Sequence, residues 1–325
     1  MTDERIRFAA VGCGRVFERY HLPCADARDA MRLVGVVDTD VQRAEELTAD
    51  RPDVWTGTRV DRLIEETGPD LISVCTPNDA HAAPVLAALD AGIAVLCEKP
   101  LAATVADARR IAAHPAAEEL LGVNMPFRFH PLLGAFAEAA RAGARRVTFT
   151  FATPGNRVWR ARTPWYGDAR RAGGGALLDL GPHALDLLTT VFGPAEVEAC
   201  ATDAPDAPDV EERVRLDLSF GGLPARLDID RAARRLETSV TVTTADGDHV
   251  LDLRRGELRR ADGTVEQAGD RPELAAVSAY FDRVTGAPGG PHAKVGVRDA
   301  LALQLLVESA YAHARQPRKR ATSAQ

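Results

Sequence analysis

A lysine follows a glutamate at the point where an apolar run of the chain ends. Only three of the forty basic residues are lysines, and one of them, Lys99, comes directly after the run 93–97 and Glu98. Arginine stays protonated and presents a rigid fork, whereas lysine is a point charge whose protonation its surroundings can change. At the end of a predicted buried strand the chain therefore carries the cation that suits acid–base chemistry.

A carboxylate and an imidazole stand four residues apart in a second segment. Asp179 and His183 follow the glycines at 173–175, and on a helix this spacing turns both side chains to one face. An imidazole whose second ring nitrogen is held by a carboxylate is a natural general base near neutral pH. We predict that His183 takes a proton from a hydroxyl group while Lys99 stabilises the developing alkoxide charge.

A glycine-rich turn follows the first apolar run. Gly12 and Gly14 would let the backbone turn tightly and approach a pyrophosphate at the N-terminus of the next helix. Phe17 stands where the dinucleotide-binding fingerprint has Gly or Ala, so we expect that helix to be shifted or tilted.

An aspartate directly follows the second apolar run. Asp38 lies about 20 residues beyond the glycine turn, the spacing expected for the carboxylate that binds a ribose hydroxyl. Thr39 and Asp40 follow, and the first arginine is Arg43, so a 2′-phosphate would meet carboxylates before a cation. The sequence predicts NAD, with NADP disfavoured. The cofactor-binding residues predicted in this region are Gly12, Gly14, Arg15, Val16 and Asp38.

The elements that position these groups change in type near the middle of the chain. In the first part, continuously apolar runs alternate with stretches of helical period, which indicates a parallel sheet covered on both faces. The predicted strands are 6–11, 33–37, 71–75, 93–97 and 120–123, with helices at 15–28, 41–50, 80–91 and 105–113. We predict a doubly wound Rossmann domain over residues 1–124.

After residue 145 apolar and polar residues alternate, which indicates mostly antiparallel strands with one buried face. The predicted strands are 145–150, 210–218, 223–229, 237–244 and 249–253; the predicted helices are 177–191, 272–285 and 296–314, and 202–209 is a predicted surface loop. We predict an α+β domain with a large open sheet over residues 125–325. Its apolar face would pair subunits in a homodimer or homotetramer.

Composition narrows the class of partner. A net charge of −7 disfavours nucleic acid and anionic membranes. The five cysteines show no CxxC or Cys/His metal spacing, which predicts reduced thiols and no metal site in a cytoplasmic protein. The start of the chain has no apolar signal region, and no apolar run reaches the roughly 18 residues of a membrane span.

Three blocks of sequence resemble the glucose-fructose oxidoreductase, inositol dehydrogenase and rhizopine-catabolism (Gfo/Idh/MocA) family. They are Cys-Thr-Pro-Asn-Asp-Ala-His at 75–81, Glu-Lys-Pro at 98–100, and the glycines at 173–175 followed by D-x-G-x-H-x-x-D at 179–186. The resemblance is strong to about residue 193 and looser beyond. It implies an NAD-dependent oxidoreductase that holds a sugar or cyclitol between its two domains.

The resemblance also implies roles for individual residues. Lys99 and His183 would flank the reacting oxygen, and Asp179 would pair with them. Residues implied at the cofactor are Thr76, Pro77, Asn78, His81, Glu98 and Lys99, and those implied near the substrate at the domain junction are Asn124 and Arg128.

Arginine and aromatic residues alternate before the three glycines, among them Arg160, Arg162 and Trp165. Arginine suits bidentate binding of phosphate or carboxylate, and an aromatic face suits a sugar ring. We expect these three to contact the substrate and to favour one with an anionic substituent. The alternative is a solvated loop in an arginine-rich protein.

Three functions stay open at the level of sequence. The first is an NAD-dependent dehydrogenase or ketoreductase acting on a secondary alcohol or ketone of a sugar, sugar derivative or cyclitol. The second is a redox-neutral, NAD-dependent enzyme that cleaves glycosidic bonds, and the third is a non-catalytic NAD-binding sensor. A sensor has no need of Lys99, Asp179 and His183 together, so the first function is favoured.

Overall fold

The apolar runs of the first part form one parallel sheet. The computed structural model describes residues 4–141, 143–155, 163–204, 210–268, 274–285 and 295–315. The strands of this sheet are β1 (Ile6–Val11), β2 (Met31–Val37), β3 (Trp55–Gly57), β4 (Leu71–Val74), β5 (Ala94–Cys97) and β6 (Leu121–Val123). Their order is β3-β2-β1-β4-β5-β6, that of a doubly wound dinucleotide-binding sheet. The strand order reverses between β1 and β4, where such folds bind their ligands.

Short helices connect these strands and cover both faces of the sheet. They are α1 (Leu22–Asp26), α2 (Val41–Leu47), α3 (Val60–Thr67), α4 (Ala82–Asp90), α5 (Val105–Ala112) and α6 (Ala117–Leu120). A π-helical turn over Phe17–His21 precedes α1. Phe17 is fully buried there, with its ring centroid 6.2 Å from that of Phe8. The helix after the glycine turn thus begins with a π turn at the residue that departs from the fingerprint.

The second sheet has eight strands. They are β7 (Arg146–Ala152), β8 (Glu196–Thr202), β9 (Arg213–Phe220), β10 (Leu223–Asp230), β11 (Glu237–Thr243), β12 (Asp248–Asp252), β13 (Glu257–Arg259) and β14 (Val265–Gln267). Their order is β14-β13-β12-β11-β7-β10-β9-β8. Neighbours are antiparallel except β7 and β10, which pair in parallel. The predicted fold class is confirmed.

The helices of the second part are α7 (Leu133–Arg141), α8 (Ala169–Ala172), α9 (Ala176–Phe192), α10 (Ala275–Val284) and α11 (Val297–Ala314). The apolar face of the second sheet and α9 contribute to the same buried core. This apolar face, predicted to pair subunits, therefore packs on the chain's own helix. On β9 and β10 the other face carries the cross-strand pairs Arg215–Asp228 and Arg226–Asp217. The oligomeric state stays a prediction.

Helix α10 packs against the first sheet although it lies in the second half of the sequence. Phe281 shares a buried cluster with Phe8 and Phe17, and its ring meets that of Phe8 edge-on at 5.2 Å. The Tyr280 hydroxyl donates to the carbonyl oxygen of Leu120 at 2.8 Å. The predicted boundary at residue 124 follows chain order, but the packing of α10 crosses it.

No helix within the described ranges is long and apolar enough to cross a membrane.

We expect Phe281→Ala to lower the free energy of unfolding by about 3–5 kcal/mol, because it removes a fully buried ring from a packed cluster. Equilibrium denaturation in urea measures the loss. The matched control is Leu305→Ala on α11, where 37% of the residue is exposed and the change should stay within about 0.5 kcal/mol. Equal effects of the two substitutions would show that α10 does not stabilise the first sheet.

Candidate active site

The glycine turn lies at the carboxyl end of β1, beside the end of β4. Gly12 has a φ of +93°, and a Cβ there would lie 2.7 Å from the carbonyl carbon of Cys75. A Cβ at Gly14 would meet nothing within 4 Å in the described part of the chain. Arg15 Nε and Thr76 Oγ1 are buried without a hydrogen-bond partner among the described residues. The turn therefore offers open space and unsatisfied polar atoms, as a dinucleotide site requires.

Asp38 ties the second strand to the glycine turn. Its Oδ2 accepts from the backbone N–H of Cys13 at 2.7 Å, and its Oδ1 accepts from that of Asp40 at 3.0 Å. Arg43 donates from Nε to the carbonyl oxygen of Cys13 at 2.9 Å and pairs with Glu18 at 2.8 Å. The first arginine after Asp38 is thus already engaged, which supports NAD over NADP.

Asn78 and His81 brace the loops around the predicted cofactor site. Asn78 is buried, and its Nδ2 donates to the carbonyl oxygen of Ala172 at 2.8 Å. His81 is buried with Nδ1 2.9 Å from the carbonyl oxygen of Pro100 and Nε2 3.0 Å from that of Thr76. Burial lowers the pKa of His81, although backbone contacts oppose this effect. Both side chains therefore bind the protein itself, and their contact with a cofactor stays a prediction.

Glu98, the residue before Lys99, belongs to a buried polar network. Glu98 Oε1 accepts from Asn124 Nδ2 at 2.6 Å and lies 2.9 Å from His21 Nε2. The other ring nitrogen of His21 lies 2.9 Å from the hydroxyl oxygen of Ser73. Burial raises the pKa of Glu98, but His21 and the other partners outweigh it and lower the pKa overall. The network fixes Glu98 at the end of β5, and it engages Asn124, which the sequence predicted to bind substrate.

Lys99 pairs with Asp179 across the two halves of the chain. Its Nζ donates to Oδ1 of Asp179 at 2.9 Å and to the carbonyl oxygen of the same residue at 2.7 Å. Arg231 approaches the other carboxylate oxygen, with NH1 3.4 Å from Oδ2. Burial raises the pKa of Asp179, but Lys99 and Arg231 outweigh burial and hold this pKa below its usual range. Asp179 is therefore an anion shared by two cations.

His183 occupies an apolar setting one helical turn after Asp179. Its ring lies 5.3 Å from Phe127 and 6.5 Å from Phe151 between centroids. Burial and then the charge of Lys99 lower the pKa of His183 to about 3, so the ring is neutral at physiological pH. Nδ1 is buried without a partner among the described residues. The predicted Asp179–His183 hydrogen bond is absent, because the two cations hold the carboxylate.

Arg128, predicted to contact substrate, is engaged within the protein. Its Nε donates to Asp186 Oδ1 at 3.1 Å, and NH1 donates to Asp299 Oδ2 at 2.7 Å. Asp186 is fully buried on α9, and burial raises its pKa to about 6 despite the guanidinium. The contact attaches the segment after β6 to the helix that carries His183.

The three glycines before α9 each face a different segment of the chain. A Cβ at Gly173 would overlap the carbonyl oxygen of Ala103, one at Gly174 the hydroxyl of Tyr311, and one at Gly175 the backbone of Glu211. This close packing fixes where α9 begins.

Glu211 binds the first turn of α9. Its carboxylate is buried and accepts from the N–H groups of Gly175 at 3.0 Å and Leu177 at 2.9 Å. The Tyr311 hydroxyl donates to the same carboxylate at 2.8 Å. Sequence reasoning gave no role in the site to Glu211, Arg231 or His21. Glu211 and His21 lie within the predicted strand 210–218 and the predicted helix 15–28, and Arg231 follows the predicted strand 223–229.

The predicted substrate contacts before α8 are only partly described. Arg160 and Arg162 lie outside the described residues. Trp165 stacks on Tyr166 with ring centroids 3.9 Å apart. Arg171, which precedes the glycines, donates from Nε to Asp79 at 3.3 Å and so links α8 to the loop after β4.

Comparison with known proteins identifies the class of protein. Residues 6–124 match an oxidoreductase family with an NAD-binding Rossmann fold, and residues 143–249 match the GFO/IDH/MocA C-terminal domain. The chain belongs to the GFO/IDH/MocA oxidoreductase family, and its first half is an NAD-binding domain. The predicted family and cofactor are confirmed.

Named relatives and solved structures agree with this assignment. D-apiose dehydrogenase of Paraburkholderia graminis is 28% identical over 98% of this chain and 90% of its own length. D-glucoside 3-dehydrogenase of Escherichia coli is 30% identical over 59% of this chain and 56% of its own length, so the chain spans little more than half of that relative.

The crystal structure of GenD2 from gentamicin A biosynthesis in complex with NAD shares the fold. Its TM-score is 0.81 at 24% identity, covering 96% of this chain and 94% of that one.

The low pKa of His183 makes stability depend on pH. The pKa is 6.5 for an ordinary histidine and about 3 here, so between these values the unfolded chain binds more protons than the folded one. Stability is therefore full above about pH 6.5 and falls as the pH drops toward 3. Between pH 7 and pH 5 we expect the free energy of unfolding of the wild type to fall by about 1–2 kcal/mol more than that of His183→Asn. Urea denaturation at both pH values measures the difference, and equal losses would contradict a neutral His183 ring with a lowered pKa.

Proposed function

We propose that this protein transfers a hydride between NAD and a secondary alcohol or ketone of a sugar, sugar derivative or cyclitol. Lys99 exchanges the proton in this proposal, and His183, which the sequence predicted as the general base, orients the reacting oxygen. The observation that carries this proposal is the Lys99 ammonium group, held by Asp179 next to His183 at the carboxyl edge of the NAD-binding sheet.

The residues of the first domain fit the cofactor. NAD, when bound, supplies the hydride acceptor for oxidation and, as NADH, the hydride donor for reduction. Gly14 leaves space for the pyrophosphate at the start of the helix. Asp38 provides the carboxylate for the adenine ribose, and Thr76 Oγ1 and Asn124 Oδ1 are buried acceptors without partners in the described part of the chain.

Lys99 is the group that exchanges the proton in this proposal. Asp179 binds Nζ through two oxygens, which leaves a third N–H free to point at the substrate oxygen. In reduction this N–H donates to the alkoxide as it forms, and the positive charge stabilises the transition state. In oxidation the same nitrogen, as the neutral amine, receives the hydroxyl proton and becomes the ammonium group.

His183 orients the reacting oxygen. With a pKa lowered to about 3, the ring stays neutral beside the Lys99 ammonium and is a weak terminal acceptor for a proton. A neutral imidazole still offers one donor and one acceptor nitrogen. We therefore assign His183 to a hydrogen bond with the substrate oxygen that fixes its position between Lys99 and the nicotinamide.

The relatives support the substrate class. They include proteins named as dehydrogenases of D-apiose, D-glucoside and inositol. These three compounds all carry several hydroxyl groups. We propose the same class for this chain. Trp165 and Tyr166 are stacked in the segment before α8 and supply an aromatic face that suits a sugar ring.

The test is absorbance of reduced nicotinamide with purified protein against free, phosphorylated and nucleotide-linked sugars, uronates and inositols. We expect NAD-linked turnover on one class, and about 10²- to 10⁴-fold lower turnover in Lys99→Met and His183→Asn, because each loses one acid–base or orienting group. Arg226→Gln, which removes an exposed ion pair on β10, is the control.

Other outcomes of that experiment point elsewhere. Product formation without a net change in absorbance would favour the redox-neutral glycoside-cleaving enzyme. NAD binding without any turnover on the panel would favour the sensor. Wild-type turnover in both Lys99→Met and His183→Asn would overturn the assigned roles.

Asp38 should set the cofactor preference. We expect Asp38→Ala to weaken NAD binding by about 10- to 100-fold, because hydrogen bonds to a charged group are lost. NADP binding should weaken less, since the carboxylate that repels a 2′-phosphate is also removed. Calorimetric titration with both cofactors measures the ratio. Asp50→Ala, which alters a side chain that is 82% exposed, is the control, and an unchanged NAD/NADP ratio in Asp38→Ala would exclude this role.

A further inference from the structure

Four charged side chains form a continuous row that ends at Lys99. Glu212 accepts from Arg231 twice, with Nε to Oε2 at 3.1 Å and NH2 to Oε1 at 2.9 Å. The remaining guanidinium nitrogen of Arg231 lies 3.4 Å from Asp179 Oδ2, and Asp179 Oδ1 accepts from Lys99 at 2.9 Å. Charge alternates along the row, and both oxygens of Asp179 are engaged by cations.

Burial distinguishes this row from the surface ion pairs of the protein. The Arg231 side chain is 6% exposed, and those of Lys99 and Asp179 are 14% and 17% exposed. The pair of Arg226 with Asp217 on the outer face of β10 is 42% and 36% exposed. Exposed pairs contribute little, whereas a buried carboxylate that loses a partner is strongly destabilised.

The backbone holds Arg231 at a fixed place directly after β10. Its N–H donates to the carbonyl oxygen of Glu212 at 2.8 Å. Gly155 packs over the Arg231 carbonyl, where a Cβ would overlap it. The bidentate contact with Glu212 then fixes the plane of the guanidinium. Arg231 is thus a rigid donor aimed at Asp179.

We propose that Arg231 is a positioning residue that orients the Asp179 carboxylate so that Asp179 holds Lys99 at the reacting oxygen. Lys99 and Asp179 come from different domains and both have side chains with rotational freedom. A second cation on Oδ2 leaves Oδ1 as the oxygen that faces Lys99. The engagement of both carboxylate oxygens by cations also explains why Asp179 accepts no hydrogen bond from His183.

The proposal rests on the proposed function only for its kinetic readout. In the enzyme assay we expect Arg231→Gln to lower kcat by about 10- to 100-fold, because a small misplacement of an acid–base group is costly. The KM for NAD should stay within about twofold, since Arg231 does not contact the glycine turn. Arg231→Lys, which keeps the charge but not the fork, should recover part of the loss. Arg226→Gln on β10, the strand that Arg231 follows, is the matched control.

A second readout needs no turnover. The chain has only three lysines, so protein labelled with [ε-¹³C]lysine gives three lysine signals, and Lys99→Arg identifies that of Lys99. We expect the Lys99 signal to move in Arg231→Gln and, by less, in Glu212→Gln, while the other two lysine signals stay in place. Glu212 is 41% exposed on its side chain, so its variant keeps the test valid if Arg231→Gln fails to fold.

The two readouts separate the two proposals. An unmoved Lys99 signal in both variants, or kcat in Arg231→Gln equal to that of Arg226→Gln, would overturn the role of Arg231. A shifted signal in a protein without turnover on any substrate would support Arg231 and count against the proposed function alone.

Discussion

The contact between Lys99 and Asp179 is the interaction on which the rest of the site depends. It joins residues 80 positions apart in the sequence, one at the end of β5 and the other on α9. An ion pair that is largely removed from water is favourable only if its geometry is held and its remaining hydrogen-bonding capacity is met. The surrounding structure supplies both conditions, from the Glu98 network on one side and from Arg231 on the other.

The contact between Lys99 and Asp179 also depends on the placement of α9, because α9 carries Asp179. Close approach by Ala103, Tyr311 and Glu211 leaves no room for side chains at residues 173–175, and the buried carboxylate of Glu211 satisfies N–H groups of the first turn. A negative group at a helix N-terminus is also favoured by the helix dipole. Arg128, held by Asp186, attaches the same helix to the segment that follows β6. The position of His183 is therefore set by contacts on both sides of it along α9.

Apolar patterning was enough to predict most of the fold, because strands buried on both faces and strands buried on one face differ in period. It missed β3, which is three residues long, α3, whose residues are largely polar, and β8, whose side chains are mostly half-buried or exposed. It also did not predict α7, β13 and β14. Motifs located Lys99, Asp179 and His183 and implied that Asp179 pairs with both of the others, whereas its hydrogen bond in the structure is with Lys99. Arg231 is 52 residues from Asp179, and His21 is 77 from Glu98. Pairing at such distances is decided by the fold, so residue type alone could not show that two cations would take both oxygens of Asp179.

The packing of α10 on the first sheet has a consequence for synthesis of the chain. Phe8 and Phe17 belong to a cluster that Val277 and Phe281 complete. On the ribosome, the nucleotide-binding half emerges long before α10, so one apolar face stays partly uncovered while the second sheet is being made. Domains generally fold as units during synthesis. In this chain the first domain reaches its final packing only after the second sheet has been made and α10 has emerged, which makes the interval before α10 emerges a period of exposure to aggregation and chaperone binding.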